Sequence, residues 1–425
     1  MKLLHGEEVS GVYDVVVVGA GIMGACTAYE LAKRGKSVLL LEQYDFLHHR
    51  GSSHGESRII RMSYPEEYYV EMMLEAFSLW EKAQQDAGYA VYTRSGGLDI
   101  GPVKSASLGS LIKSLQKFNV EHEILSPAQV LDRFSMMHIP EDWHAVYTKQ
   151  GGIIHASKAV AMFLSLAAKH GATLRDRAKV TKITPNSSLD GTDGVVVNTS
   201  RGDALGRKCI LAGGSWMGKL VADITGKGLP ITPLHTTYAY WSVADESEAH
   251  LYTEEGGFPV FICYDVPFIY GTPAIEYPGM IKVSNHTGHP CNPDTRTVAP
   301  DMGMLQATVS PWIAEMFKGK VKHEAPAIAE GCLYSMTADE DFILDSLPSC
   351  PDILVAAGFS GHGFKMGPLI GRIMADLALT GAALGGESGS WLPHFSLQRF
   401  ERGANGNSKT FDALVLTHEL GALGI

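Results

Sequence analysis

Cysteine is sparse and unpaired in this chain: Cys26, Cys209, Cys263, Cys291, Cys332 and Cys350 are scattered over 425 residues with no CxxC pair. That spacing argues against zinc and against a disulfide framework, and for a reducing compartment in which most thiols are small buried hydrophobes. Positive charge is short as well. Lys and Arg number 35 against 46 Asp and Glu, a formal charge of −11 with no basic stripe, so nucleic acid and anionic membrane surfaces are disfavoured partners. Long apolar runs are missing too, the longest suspicious stretch, Val15 to Tyr29, being broken by glycines and too short for a bilayer. The start, MKLLHGEEVSG, lacks the apolar centre of a secretory signal. The end, GALGI, does not match the peroxisomal tripeptide, which leaves cytosol and peroxisome as equal expectations.

What remains is 45% hydrophobic, enough for a sizeable interior in two interleaved domains. Asp14 to Val18 is a β-branched run that predicts a buried parallel strand, Ile22 to Lys33 has helical spacing, and Ser37 to Leu41 predicts a second strand. Ala156 to His170 predicts a helix, and Lys208 to Ala212 and Ile353 to Ala357 predict strands ending in glycine-rich turns. Between them, 89–150 and 230–328 alternate short strand-like runs with Pro and Gly punctuation. The expected fold class is α/β: a discontinuous Rossmann-type domain (1–88, 151–229 and 329–400) with an inserted α+β substrate domain (89–150 and 230–328) on a mixed or antiparallel sheet. A polar C-terminal tail follows (401–425), expected to be mobile around 403–409.

Gly19, Gly21 and Gly24 form GxGxxG between the first strand and helix, with Ile22 and Met23 opening the helix. The first glycine turns the chain, the second admits a pyrophosphate and the third allows close packing, with the phosphates at the positive helix end. Glu42, followed by Gln43, stands where an acid accepts ribose hydroxyls and repels a 2′-phosphate. The loop by itself leaves FAD and NAD both open.

Three further motifs are more specific: QYDFLHHRGSSHGESRIIRMSY after Glu42, CLYSMTADEDF around Cys332, and GFSGHGFK. Arg58 and Arg61 are three apart, a spacing that would place them on one face of a helix, and Arg61 is the better bidentate clamp for a carboxylate. With the dinucleotide loop, these motifs resemble the monomeric sarcosine oxidase and pipecolate oxidase family of FAD-dependent amine oxidases, from Tyr13 to about Leu379.

The resemblance implies FAD attached covalently through Cys332 as an 8α-S-cysteinyl link; by spacing alone that cysteine reads as a core residue. It implies that Arg61 and Lys365 grip a substrate carboxylate, that Arg58 lies beside the flavin, and that Ser53, His54 and Ser57 neighbour it; His54 also reads as a structural histidine. Gly361, His362, Gly363 and Phe364 would present backbone donors at a helix start by the ring. Lys282 would promote reaction with O2, and His286 and Tyr270 would stand on the substrate side, with Lys282 and His286 on one face of a strand. Asp339, Glu340 and Asp341 read as a solvated turn. The activity implied is oxidation of a secondary amino acid, sarcosine or L-pipecolate, to an imine with hydrogen peroxide as co-product, by a monomer. An NAD-dependent dehydrogenase accounts for the first forty-odd residues only. An alkaloid-type amine without a carboxylate would leave Arg61 and Lys365 without work.

Overall fold

In the computed structural model, residues 10–189, 192–386, 389–402 and 405–409 are described; the leader and tripeptide readings fall mainly on 1–9 and 410–425, outside them. The first strand, Val12–Val18, ends in four buried valines, as a strand covered on both faces requires. It runs parallel to Val38–Leu41 on one side and Gly202–Leu211 on the other. Thr173–Arg175 and Cys350–Ala357 extend the parallel centre outward. The hairpin Val180–Leu189 and Thr192–Thr199, and the strand Ile343–Leu347, add antiparallel margins and complete eight strands.

Two close approaches set the geometry of the loop. Gly19 has φ +101°, and a Cβ on Gly24 would lie 1.8 Å from the Gly19 carbonyl oxygen, so helix Ile22–Lys33 can leave the strand this tightly only with glycine at both positions. Helix Gly367–Thr380 crosses it at Gly371, where a Cβ would come within 2.6 Å of the Cys26 carbonyl carbon. This contact draws the GFSGHGFK turn against the dinucleotide loop.

The second sheet has nine strands, with Thr232–Ser242, Met280–Asn285, Ile269–Thr272, Val260–Cys263 and Gly97–Pro102 in that order at its centre. Its buried face packs on Trp312, Ile313 and Phe317 of the helix Ser310–Phe317. The boundary expected at residue 329 falls inside a strand: Ile328–Met336 pairs along its whole length with Thr232–Ser242, so Cys332 sits on the second sheet. Ser57–Ile60, Tyr92–Arg94 and Gly152–His155 form a small third sheet. The arginine segment is therefore a strand, and the helical spacing of Arg58 and Arg61 is not used. No helix among the described residues is long and apolar enough to cross a membrane.

The acidic run overturns its solvated-turn reading. Asp339 and Asp341 are buried, because cations from the tail neutralise them. Arg399 Nε donates to Asp339 Oδ2 at 2.7 Å, Asn407 donates to both carboxylates, and Lys409 Nζ reaches Asp341 at 2.9 Å and Glu66 at 2.9 Å. The segment 405–409, expected to be mobile, is thereby docked. Breaking a buried ion pair from one side strands a desolvated charge at a cost of about 3–5 kcal/mol. Arg399→Met is thus expected to lower the thermal midpoint sharply, whereas removing the exposed pair of Arg94 and Glu81 leaves it near the parent. Equal melting curves for the two variants would show that the buried pair does not hold the tail.

Candidate active site

A cavity of about 390 Å³ runs from Gly19 and Glu42 of the dinucleotide loop, past Arg58 and Cys332, to Arg61, His286 and Lys365. Of the residues expected at the site, Gly21, Ile22, Met23, Gln43, Ser53, Ser57, Tyr270, Lys282, Gly361, His362, Gly363 and Phe364 line it as well. Gly24 does not, consistent with a packing glycine. His54 is also absent from the wall: it is buried, stacked on His49, and burial, reinforced by Arg58, pushes its pKa down to about 3.

At the loop end, Glu42 ties the turn together, accepting the Ala20 N–H at 3.0 Å and the Tyr44 N–H at 3.0 Å. Ser53 Oγ accepts the Ile22 N–H at the start of the helix, and a Cβ on Gly21 would crowd that same oxygen at 3.0 Å. Arg58 is committed to backbone, donating to the carbonyls of Ser57 at 2.7 Å, Ser52 at 2.9 Å and His54 at 2.7 Å. It fixes the 52–57 loop that forms the cavity wall. Cys332 is the one cysteine of the six on that wall.

At the far end two buried cations face the same space. Lys365 Nζ donates to Tyr64 OH at 2.9 Å and to the His362 carbonyl at 2.8 Å, while Trp80 holds the Lys365 carbonyl at 2.7 Å. No carboxylate among the described residues pairs with it, and burial, with Arg61 adding repulsion, drives its pKa well below the usual lysine value. Arg61 Nη1 donates to Tyr264 OH at 2.9 Å and lies 3.7 Å from Asp99 Oδ1, and its Nε has no partner. Asp99 is pushed up to about 6 by burial, against the opposing field of Arg61. His286 is held down to about 4 by burial and then by Lys365 and Arg61, so it is a neutral imidazole at pH 7, and its buried Nε2 is unpartnered.

Lys282 and His286 both reach the cavity as strand alternation predicts, although the strand ends at Asn285; the His286 N–H continues the ladder to the Phe268 carbonyl at 2.8 Å. Lys282 is buried, donates to Ser57 Oγ at 2.6 Å, and is drawn down to about 8 by burial, with Glu276 opposing that and Arg58 adding to it. Sequence reasoning missed Tyr64, Tyr264, Phe268 and Tyr334, which line the same cavity. Tyr334 carried a signal: two residues after Cys332 on one strand, it shares that face. Tyr264 and Asp99 carried none, since distant strands bring them to Arg61.

Residues 14–377 match the model of the FAD dependent oxidoreductase family. The chain belongs to that family. It is 47% identical to a probable sarcosine oxidase of Arabidopsis thaliana over 96% of this chain and 97% of the relative. It is 35% identical to a peroxisomal sarcosine oxidase of Homo sapiens over 86% and 92%. Among solved structures, the open form of NikD, described as an unusual amino acid oxidase essential for nikkomycin biosynthesis, superposes with TM-score 0.75 at 26% identity, covering 89% of this chain and 96% of NikD. An L-proline dehydrogenase from P. horikoshii shares the fold, with TM-score 0.77 at 22% identity over 93% and 99%.

FAD fits the residues present. The cavity is continuous from the glycine turn to the paired cations, a Cβ would crowd its lining at Gly21 and clash with His286 at Gly361, and it carries a single thiol along its length.

Proposed function

We propose that this chain is an FAD-dependent oxidase of secondary amino acids of the sarcosine or L-pipecolate type, converting the amine to an imine while O2 becomes hydrogen peroxide. The observation that carries this reading is the buried pair Arg61 and Lys365, two cations facing one space in which Asp99, 3.7 Å from Arg61, is the sole counter-charge among the described residues. A substrate carboxylate supplies the missing negative charge. The same two cations raise the cost of an ammonium group beside them, favouring the neutral amine, the form whose lone pair can drive oxidation. His286, neutral with a free Nε2, orients that amine without adding a third positive charge. Tyr264, Phe268, Tyr270 and Tyr334 exclude water from the substrate end. Bound FAD, held by Gly19 to Met23, Glu42, Gln43, Ser53, Ser57 and Gly361 to Phe364, supplies the two-electron chemistry. Cys332 is its covalent anchor, and Lys282 is the cation that assists oxygen.

The test is peroxide release on adding sarcosine, L-pipecolate and a panel of secondary amines with and without a carboxylate. Release confined to carboxylate-bearing amines is expected; silence across the panel sinks the reading. Yellow colour should stay with acid-precipitated protein and move to the supernatant in Cys332→Ala; colour that washes out of the parent removes the covalent link and spares the oxidase. The peroxisomal relatives fit an intracellular protein and relatives named monomeric sarcosine oxidase fit a monomer, which cell fractionation and sedimentation examine.

A further inference from the structure

Lys282 has a carboxylate partner from a loop that the oxidase reading does not use. Between the strands Ile269–Thr272 and Met280–Asn285, Glu276 places Oε1 3.5 Å from Lys282 Nζ, with each side chain 4% exposed. Its Oε2 is buried without a partner, and Tyr240 OH approaches Oε1 at 3.4 Å. Lys282 Nζ is further enclosed by the rings of Tyr238 and Tyr240, at 4.7 Å and 5.1 Å.

We propose that Glu276 is a positioning residue that keeps Lys282 protonated and aimed into the cavity. Burial disfavours the charged form of a lysine, and an opposite charge this close offsets that cost. Every other group around Lys282 leaves that task to Glu276. Arg58, on Ser57–Ile60, repels the ammonium. Ser57 contributes a neutral hydroxyl, and Tyr238 and Tyr240, on Thr232–Ser242, are tyrosines that burial keeps protonated. Glu330, on Ile328–Met336, is engaged by the hydroxyl of Tyr238, Tyr277 packs edge-on against the ring of Tyr240, and Glu56 is exposed. Cys332, on the same strand, is a thioether sulfur once it anchors the flavin and brings no negative charge to the ammonium. The consequence for oxygen chemistry rests on the oxidase reading; the pairing itself does not.

The test titrates the visible spectrum of the flavin bound to the holoenzyme over about pH 6 to 10, where a lysine with a lowered pKa changes charge. The parent should show a transition that Lys282→Met abolishes. Glu276→Gln should move it down by about 1–3 pH units, and Glu276→Asp should restore most of it. Reoxidation by O2 in Glu276→Gln should fall off above the displaced midpoint, while reduction by substrate keeps the parent pH profile. A Glu276→Gln transition coincident with the parent's overturns the proposal. If Glu276→Gln does not accumulate, the double variant with Lys282→Met decides: recovery when both charges go supports the pair, and equal loss refutes it. A parent whose reduced flavin ignores oxygen defeats the oxidase reading, while the spectral transition still judges Glu276.

Discussion

Lys282→Met should slow reoxidation of the reduced enzyme by oxygen by about 10²–10³-fold, the usual loss when one fixed electrostatic stabiliser is removed from a water-excluded site. Reduction by substrate should change far less, because Lys282 lies at Ser57 and Glu276 and not at the carboxylate-binding end. The physical reason is timing. Negative charge reaches dioxygen only in the second half-reaction, and a cation already in place needs no reorganisation to meet it. Stopped-flow measurement of the two half-reactions separates the effects, and comparable slowing of both would contradict the role. The methionine also relieves a desolvated ammonium but leaves Glu276 buried without its cation.

Arg61→Met should act on the other half of the cycle, weakening binding of substrate and of carboxylate analogues that lack the amine. A hydrogen bond to a charged partner is worth about 1.5–3 kcal/mol, so each lost contact costs roughly 10- to 150-fold in affinity. The effect should fall mainly on KM, since the carboxylate is held equally before and during oxidation. Arg61→Lys should lie between, keeping the charge and losing the fork. Unchanged affinity for the analogues would remove the clamp. Because Asp99 sits 3.7 Å from the guanidinium and is already pushed up to about 6, the variant should hold Asp99 protonated at neutral pH, lessening the stability cost of the lost pair.

Local regularities made the dinucleotide half readable. The valine run, the glycine spacing and Glu42 each act within a few dozen residues, and helix Ile22–Lys33 appears within the limits expected from its periodicity. The substrate end was legible as a set of residues through family motifs, not as geometry. Arg61, Tyr264 and Asp99 come from three separate parts of the chain, and no local pattern states that Tyr264 will receive the guanidinium. Asp339 and Asp341 failed for a related reason: a charge run looks solvated unless its partners are known, and Arg399, Asn407 and Lys409 lie about sixty residues downstream. The boundary set at 329 cuts the strand carrying Cys332 because its pairing with Thr232–Ser242, about a hundred residues upstream, leaves no local mark.

The docked tail also orders events during synthesis. A ribosome has already produced the glycine turn, Cys332 and Lys365 when Arg399 and Lys409 are still untranslated, so Asp339 and Asp341 wait without their cations until those later residues emerge. The nascent chain therefore possesses every candidate site residue before it possesses the ion pairs that hold Asp339 and Asp341, and a nonsense codon ahead of Arg399 would yield a protein with the cavity residues in place but prone to quality-control degradation.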